Sequence, residues 1–259
     1  MKLDNGYLQV RLARSEADLR AAERLRYRVF VEELGGDGPL VDHAGRFERD
    51  AFDPFYEHLV LVDARIDETT LEHVVGVYRL LSGARAAEHG RFYSDGEYDL
   101  TVLRASGRNL LELGRSCVAP DHRGGLALHM LWSGLADYVR ARDVQVLFGV
   151  ASLHGTDIDA LALPLSHLHQ AFLAPPELRV RAHEAAYQRM DLVPPEKIDR
   201  VAAMRAVPAL IKSYLRLGGF VGDGAFVDHD FNTTDVCLVM DTARMNARAT
   251  TRITEALRQ

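Results

Sequence analysis

Apolar and polar residues follow two patterns along the first part of the chain, one typical of strands and one typical of helices. Residues 7–13 alternate in polarity and predict a strand. Apolar positions at helical spacing then predict a helix over 16–33, with Ser15 as its N-cap. Two β-branched runs, 58–64 and 72–80, are separated by a short polar turn. These two runs predict an antiparallel hairpin.

The middle of the chain predicts a strand, a glycine-containing loop, a helix and a second strand. The strand is expected over 110–118, with a bulge at Gly114, and the helix over 126–142. A helix between two strands usually joins parallel strands by a right-handed crossover. The pattern favours one α/β domain with a mixed sheet over 1–245 and a polar tail over 246–259. Further elements are predicted at 144–150, 158–172, 208–217, 225–227 and 236–240.

Composition narrows the class of protein. The 259 residues are 47% hydrophobic and 26% charged, which is typical of a globular chain, and the net charge is −6. This charge argues against a generally basic nucleic-acid binder, so no nucleic-acid partner is expected. Two cysteines, Cys117 and Cys237, are too few for a disulfide framework or a zinc site, and no metal site is expected. No apolar run reaches the ~18 residues of a membrane span.

The loop before the middle helix is a candidate phosphate site. It reads Arg123-Gly124-Gly125, and such a loop leaves backbone N–H groups exposed at the positive end of the helix. Glycine also lets a ligand approach the backbone closely. A plain turn into the helix explains the same residues, and spacing alone leaves both interpretations open.

Two further groups of charged residues are candidates for chemistry. Glu112 is suited to act as a general base for an amine, and a bulge would turn Arg115 towards the same cleft. A structural ion pair between them is the alternative. Asp50 and Asp53 lie in a long acidic loop over 41–54, which is either a functional loop or a solvated acidic surface.

Several motifs together carry a family resemblance, at 25–30, 112–118, 165–169, 208–218 and 231–236. Through these motifs the chain resembles bacterial L-ornithine N-alpha-acyltransferases, the GNAT-like enzymes of lyso-ornithine lipid synthesis. Through 26–30, 50–53, Arg79 and 112–115 it also resembles, less closely, the related acyl-homoserine-lactone synthases. The tryptophan expected shortly after the first of these four is absent, which argues against a lactone synthase.

The resemblance implies a GNAT-like fold with a mixed central sheet flanked by helices. It implies transfer of a 3-hydroxyacyl chain from acyl carrier protein to the α-amine of L-ornithine, which gives lyso-ornithine lipid. The acyl donor is then the phosphopantetheine of the carrier protein, with no permanently bound cofactor. The implied location is cytoplasmic, with transient contact at the inner membrane surface. An N-acyl amino acid synthase with another acceptor and a non-catalytic lipid- or carrier-binding module are the alternatives.

Roles follow for particular residues if the resemblance holds. The carbonyl of the thioester gains negative charge during attack, and backbone N–H groups near Cys117 and Val118 are expected to stabilise it. Acyl-donor binding is expected at Arg26, Phe30, Arg123, Gly124 and Gly125. Acceptor binding is expected at Asp50, Asp53 and Arg79, and catalysis at Glu112, Arg115, Cys117 and Val118.

Overall fold

A computed structural model gives the fold over residues 6–123, 125–229 and 231–245. The tail 246–259 and Gly124 of the predicted phosphate loop lie outside these described residues. The strands are β1 (Leu8–Leu12), β2 (Glu57–Asp63), β3 (Val74–Ser82), β4 (Tyr98–Asp99), β5 (Leu110–Val118), β6 (Val146–His154), β7 (Arg181–Ala182), β8 (Tyr187–Gln188), β9 (Phe220–Val221), β10 (Ala225–Asp228) and β11 (Thr233–Asp241). The α-helices are α1 (Glu16–Arg26), α2 (Gly83–His89), α3 (Thr101–Ala105), α4 (Leu126–Ala141), α5 (Ile158–Phe172), α6 (Arg200–Ala206) and α7 (Ala209–Arg216).

The chain forms two compact units, and strand β5 contributes residues to both. Unit 1 contains 6–90 and 113–143 of the described residues, and unit 2 contains 91–112 and 144–245. The strand order is β1-β2-β3-β5 in unit 1 and β5-β6-β11-β10-β8 in unit 2. The single domain expected over 1–245 stays a prediction.

In unit 1, helix α1 begins as the sequence predicts. The hydroxyl of Ser15 accepts a hydrogen bond from the Asp18 N–H at 3.1 Å, and the Asp18 carboxylate accepts from the Ser15 N–H in return. The helical segment does not stay α-helical to its predicted end. It continues as a π-helix over Tyr27–Glu33, a rare geometry that often marks functional sites.

Helix α4 covers the sheet of unit 1 and makes contacts with β1, β2 and β3. Leu131, Trp132 and Leu135 are buried, as their spacing predicts. Leu128 follows the same helical spacing but is 36% exposed. The predicted hairpin is confirmed, because β2 pairs with β3 in antiparallel register.

In unit 2, β5 and β6 pair in parallel over Leu110–Glu112, as the strand–helix–strand pattern predicts. Strand β6 pairs antiparallel with β11 along nine residues, so the sheet is mixed. Helix α5 has the predicted bounds. Helix α6 and the two-residue strands were not predicted, because such short elements carry little periodicity. Among the described residues, no helix has the length and apolar character needed to cross a bilayer.

Candidate active site

Strand β5 carries the four residues predicted to be catalytic. Its backbone leaves the extended conformation at Arg115, where φ is 44°, one residue after the expected bulge at Gly114. A positive φ is costly for a residue with a side chain, and such strain often occurs at functional sites. At Gly114 itself, a Cβ would lie 3.4 Å from the hydroxyl of Tyr56, which is close to an ordinary contact distance.

Glu112 is buried in unit 2 and is held by a neighbouring turn. Its Oε2 accepts a hydrogen bond from the Tyr93 N–H at 2.8 Å. Its Oε1 accepts from the Ser94 N–H at 2.6 Å and from the Ser94 hydroxyl. These donors fix the orientation of the carboxylate. Tyr93 and Ser94 were not singled out from the sequence, because they lie 18 to 19 residues from Glu112 along the chain.

Unit 1 contains a buried arginine–carboxylate cluster, which consists of six side chains. Arg26 makes two hydrogen bonds with Asp53 and also pairs with Glu48. Arg79 pairs with Asp50 at 2.8 Å and with Asp53 at 2.9 Å. The three cations and three anions of the cluster balance formally. Its members are Arg26, Arg79, Arg115, Glu48, Asp50 and Asp53.

Glu48 connects this cluster to strand β5. Its Oε1 accepts a hydrogen bond from Arg115 Nε at 3.1 Å, while the other oxygen pairs with Arg26. The guanidinium of Arg115 also lies 5.8 Å from the centre of the Phe30 ring. Glu48 was not predicted as a site residue. The available signal was its position two residues before Asp50 in the acidic loop.

Arginine charges hold the cluster carboxylates in their ionised form. Burial alone would raise the pKa of Asp53, but hydrogen bonds from His58 and Arg26 outweigh it and leave that pKa well below its usual range. The pKa of Glu48 is also lowered, because the charges of Arg26 and Arg115 outweigh its burial. Burial lowers the pKa of His58 despite its hydrogen bond with Asp53.

The cluster gives several of the predicted site residues a structural role. Arg26 was expected to bind the acyl donor and Arg79 the acceptor carboxylate, but their side chains are 0% and 1% exposed. Asp53, expected to attract the acceptor ammonium, is paired with both of these buried arginines. These ion pairs hold the acidic loop in place, and the substrate contacts expected of the three residues stay predictions. Asp50 and Arg115 keep some exposure, and their predicted contacts with substrate stay predictions.

Cys117 has a buried thiol, and burial raises its pKa to about 12. The thiol is therefore protonated at neutral pH and unsuited to be a nucleophile, since the thiolate is the reactive form. The side chain is therefore a buried packing residue, and the catalytic role expected of the backbone N–H groups stays a prediction. The carbonyl of Val118, the next residue, accepts a hydrogen bond from Arg123 Nε at 3.0 Å.

The predicted phosphate loop leads into helix α4 in unit 1. Gly125 is the N-cap of this helix with φ 102°, and a Cβ built on it would meet nothing within 4 Å. Arg123 makes two hydrogen bonds with the carboxylate of Glu33, both at 2.6 Å. Both partners are partly exposed. Arg123 therefore has to exchange Glu33 for any phosphate that it binds.

The fold, with its strand–loop–helix segment, indicates the general class to which the protein belongs. Residues 25–133 match the family described as Acetyltransferase (GNAT) domain. A solved CoA-dependent acyl-homoserine lactone synthase, BjaI, has a similar fold, with a TM-score of 0.51 at 14% identity, covering 94% of this chain and 83% of that one. FeeM, an N-acyl amino acid synthase from uncultured soil microbes, gives a TM-score of 0.50 at 11% identity, covering 94% and 96%. The chain is a GNAT-fold acyltransferase.

Curated relatives give the particular family. An L-ornithine N(alpha)-acyltransferase of Rhodobacter capsulatus is 64% identical over 240 residues, which cover 93% of this chain and 92% of that protein. Proteins of the same name from Brucella abortus and Agrobacterium fabrum are 42% and 40% identical, each over 94% of this chain and over 87% and 84% of their own lengths. The chain belongs to the L-ornithine N(alpha)-acyltransferase family.

Proposed function

We propose that this enzyme transfers a 3-hydroxyacyl chain from acyl carrier protein to the α-amine of L-ornithine and so makes lyso-ornithine lipid. The observation that carries this proposal is the 64% identity, over nearly the full length of both chains, with a protein named for that acceptor. Glu112, held in a defined orientation by backbone hydrogen bonds, supports a catalytic function over a non-catalytic binding module.

The reaction needs a base, because an ammonium group cannot attack a thioester. Glu112 accepts the α-ammonium proton, directly or through one water. The neutral amine then attacks the thioester carbonyl, and backbone N–H groups at Cys117 and Val118 stabilise the negative oxygen that develops. The C–S bond breaks as the amide forms, and the phosphopantetheine thiol leaves after taking up a proton.

The acyl donor binds at the start of helix α4. The open space around Gly125 lets a phosphate approach the N–H groups at the helix N-terminus, where the helix dipole favours an anion. Arg123 releases Glu33 and pairs with the phosphate. Acyl carrier protein is acidic, and this chain has a net charge of −6, so docking requires a local group of arginines. Arg28, another partly exposed arginine of unit 1, pairs with Asp121 at 3.1 Å, so it adds to the positive charge of Arg123 only when both arginines release their carboxylates.

The product carries a long acyl chain and belongs in a membrane. We therefore include in the proposal a cytoplasmic location with transient contact at the inner membrane surface. Leu34 and Leu40 support it, because they expose apolar side chains in the loop after the π-helix of unit 1. Sedimentation of the protein with lipid vesicles tests this contact.

A direct assay tests the reaction and the role of Glu112. Purified protein is mixed with L-ornithine and either acyl carrier protein thioester or acyl-CoA, and the amide is measured by mass spectrometry. We expect acyl-ornithine from the carrier-protein donor. Glu112→Gln should lower kcat by roughly 10²- to 10⁴-fold, the usual contribution of general acid–base catalysis. The remaining rate should rise with pH more steeply than the wild-type rate, because the variant depends on ornithine that has already lost its proton.

Glu196→Gln is the control, because Glu196 is an exposed residue of unit 2. Its rate should equal that of the wild type. A melting curve shows whether Glu112→Gln folds. No acyl-ornithine from either donor would overturn the proposed function. If Glu112→Gln forms acyl-ornithine as fast as the wild type at every pH, Glu112 is not the base of the reaction.

A further inference from the structure

Unit 2 contains a cavity of about 470 Å³ to which no role has yet been given. Its wall is formed by the segment 91–97 on one side and by strand β10 and the residue after it on the other. Pockets of about 300 to 1,000 Å³ are the usual size for small ligands. The cavity is therefore large enough for an amino acid.

A hydrogen bond joins the wall of the cavity to Glu112. Tyr93 lines the cavity, and its N–H donates to Glu112 Oε2 at 2.8 Å. Ser94, the next residue of the same turn, donates to the other carboxylate oxygen. One turn thus forms part of the cavity wall and holds the proposed base.

The charged side chains of the cavity match one kind of ligand. Arg91 supplies one cation, and Glu97 and Asp228 supply two anions. Ornithine carries the complementary charges, because it has one carboxylate and two amines. The aromatic rings of Tyr93 and Phe226 add apolar surface for the methylene groups between them.

Gly96 leaves room for the cation of the cavity. A Cβ at this position would lie 3.3 Å from Arg91 Nη1, a tighter contact than most side chains accept. The guanidinium therefore lies over a residue that has no side chain. Asp228 is also held in place, because its Oδ1 accepts a hydrogen bond from the Phe231 N–H at 3.0 Å.

We propose that this cavity is the acceptor pocket: Arg91 binds the α-carboxylate, Asp228 and Glu97 bind the side-chain ammonium, and the α-amine faces Glu112. The inference rests on the proposed function and assigns the acceptor site within it. It moves acceptor recognition from Asp53 and Arg79, which are paired in the buried cluster, to side chains that line an open cavity.

Two analogues of ornithine separate the contributions of these side chains. Norleucine has the same number of side-chain heavy atoms without the terminal charge, and 1,4-diaminobutane is ornithine without its carboxylate. Asp228→Asn should lower kcat/KM for ornithine by roughly 10- to 100-fold, as expected for a lost charge-assisted hydrogen bond, with little change for norleucine. Arg91→Gln should lower kcat/KM for ornithine by a similar factor, with little change in kcat/KM for 1,4-diaminobutane. The KM for the acyl donor should stay the same in both.

The assay distinguishes a wrong pocket from a wrong function. Where an analogue is a poor acceptor, its inhibition constant against ornithine replaces kcat/KM. Asp191→Asn, which removes a charge from an exposed ion pair of unit 2 with Arg189, is the control and should match the wild type. If the wild type acylates ornithine but the variants keep its selectivity, or lose activity with all acceptors equally, the pocket assignment is overturned. If the wild type acylates other amines but not ornithine, the proposed function fails as well.

Discussion

The carboxylate of Glu48 links Arg26 of the buried cluster to Arg115 on the strand that carries the catalytic candidates. It pairs with the fully buried Arg26 and with Arg115, so its charge balances cations on two different elements. A buried ion pair often stabilises a protein no more than well-packed apolar residues at the same positions would. Removing one member is nevertheless costly, because it leaves a buried charge without its partner.

Glu48→Gln is therefore expected to lower the free energy of unfolding by about 3 kcal/mol, the lower end of the cost of breaking a buried ion pair. The neutral amide keeps the shape of the side chain but not its charge. Urea denaturation followed by circular dichroism measures the change. We also expect kcat to fall, because Arg115 loses a partner that orients it.

Glu32→Gln is a matched control in the same unit. Glu32 pairs with Arg46 at 2.6 Å, but both side chains are exposed to solvent. Exposed pairs contribute only about 0 to 1 kcal/mol. If Glu32→Gln and Glu48→Gln lower the free energy of unfolding equally, burial of the cluster does not determine how much its ion pairs contribute to stability.

At the scale of elements, two glycines let helix α4 lie close to the sheet of unit 1. A Cβ on Gly134 of the helix would lie 2.2 Å from Val10 Cγ1 on β1, and a Cβ on Gly76 of β3 would lie 2.9 Å from Leu131 Cδ1 on α4. Neither contact is possible without movement. The close approach positions the start of α4, and with it Gly125.

Gly134→Ala should therefore destabilise the protein, although alanine is the better helix former by about 1 kcal/mol. Overpacking a core contact costs about 1–3 kcal/mol, so a net loss of about 1 kcal/mol is expected, measured by chemical denaturation. Gly38→Ala is the control, because its Cβ would make an ordinary contact with Val41 at 3.7 Å. A more stable Gly134→Ala protein would show that helix propensity outweighs packing here.

The sequence predicts elements better than it predicts the site. Strand β5 and helix α5 have their predicted bounds, because strong periodicity is a local property of the chain. The strand–loop–helix candidate is likewise formed by neighbouring residues. Glu33, Glu48 and the turn at Tyr93 were missed, since their partners lie 18 to 90 residues away and only the folded chain brings them together.

At the scale of the whole molecule, the excess of acidic residues does not leave every carboxylate open to solvent. Lysine and arginine total 31 against 37 aspartates and glutamates. Several carboxylates of unit 1 are instead buried beside arginines. Hydrogen bonds from Arg65 hold the pKa of Asp63 at about 2, and those from Arg11, with the backbone at Arg14, lower the pKa of Asp18 against its burial.

Lowered carboxylate pKa values set the pH dependence of stability. In the unfolded chain an aspartate has a pKa of about 3.9, so the unfolded state binds protons below this pH while the folded carboxylates remain ionised. Their stabilising contribution is present above about pH 4 and is lost as the pH falls towards the folded pKa values. His58 acts in the same direction at higher pH, because its lowered pKa means that only the unfolded state takes up a proton below about pH 6.5. Glu23, whose pKa burial raises, acts in the opposite direction.

The melting temperature is therefore expected to change little between pH 8 and pH 7, to decline gently below about pH 6.5, and to fall steeply below about pH 4. Thermal scans over this range measure it, with a parallel series in about 1 M salt. Salt weakens exposed ion pairs much more than buried ones, so the steep acid loss should persist in that series. A loss that salt removes would assign the acid sensitivity to exposed pairs. A melting temperature that is constant down to pH 3 would mean that the buried carboxylates of unit 1 do not keep their lowered pKa values in solution.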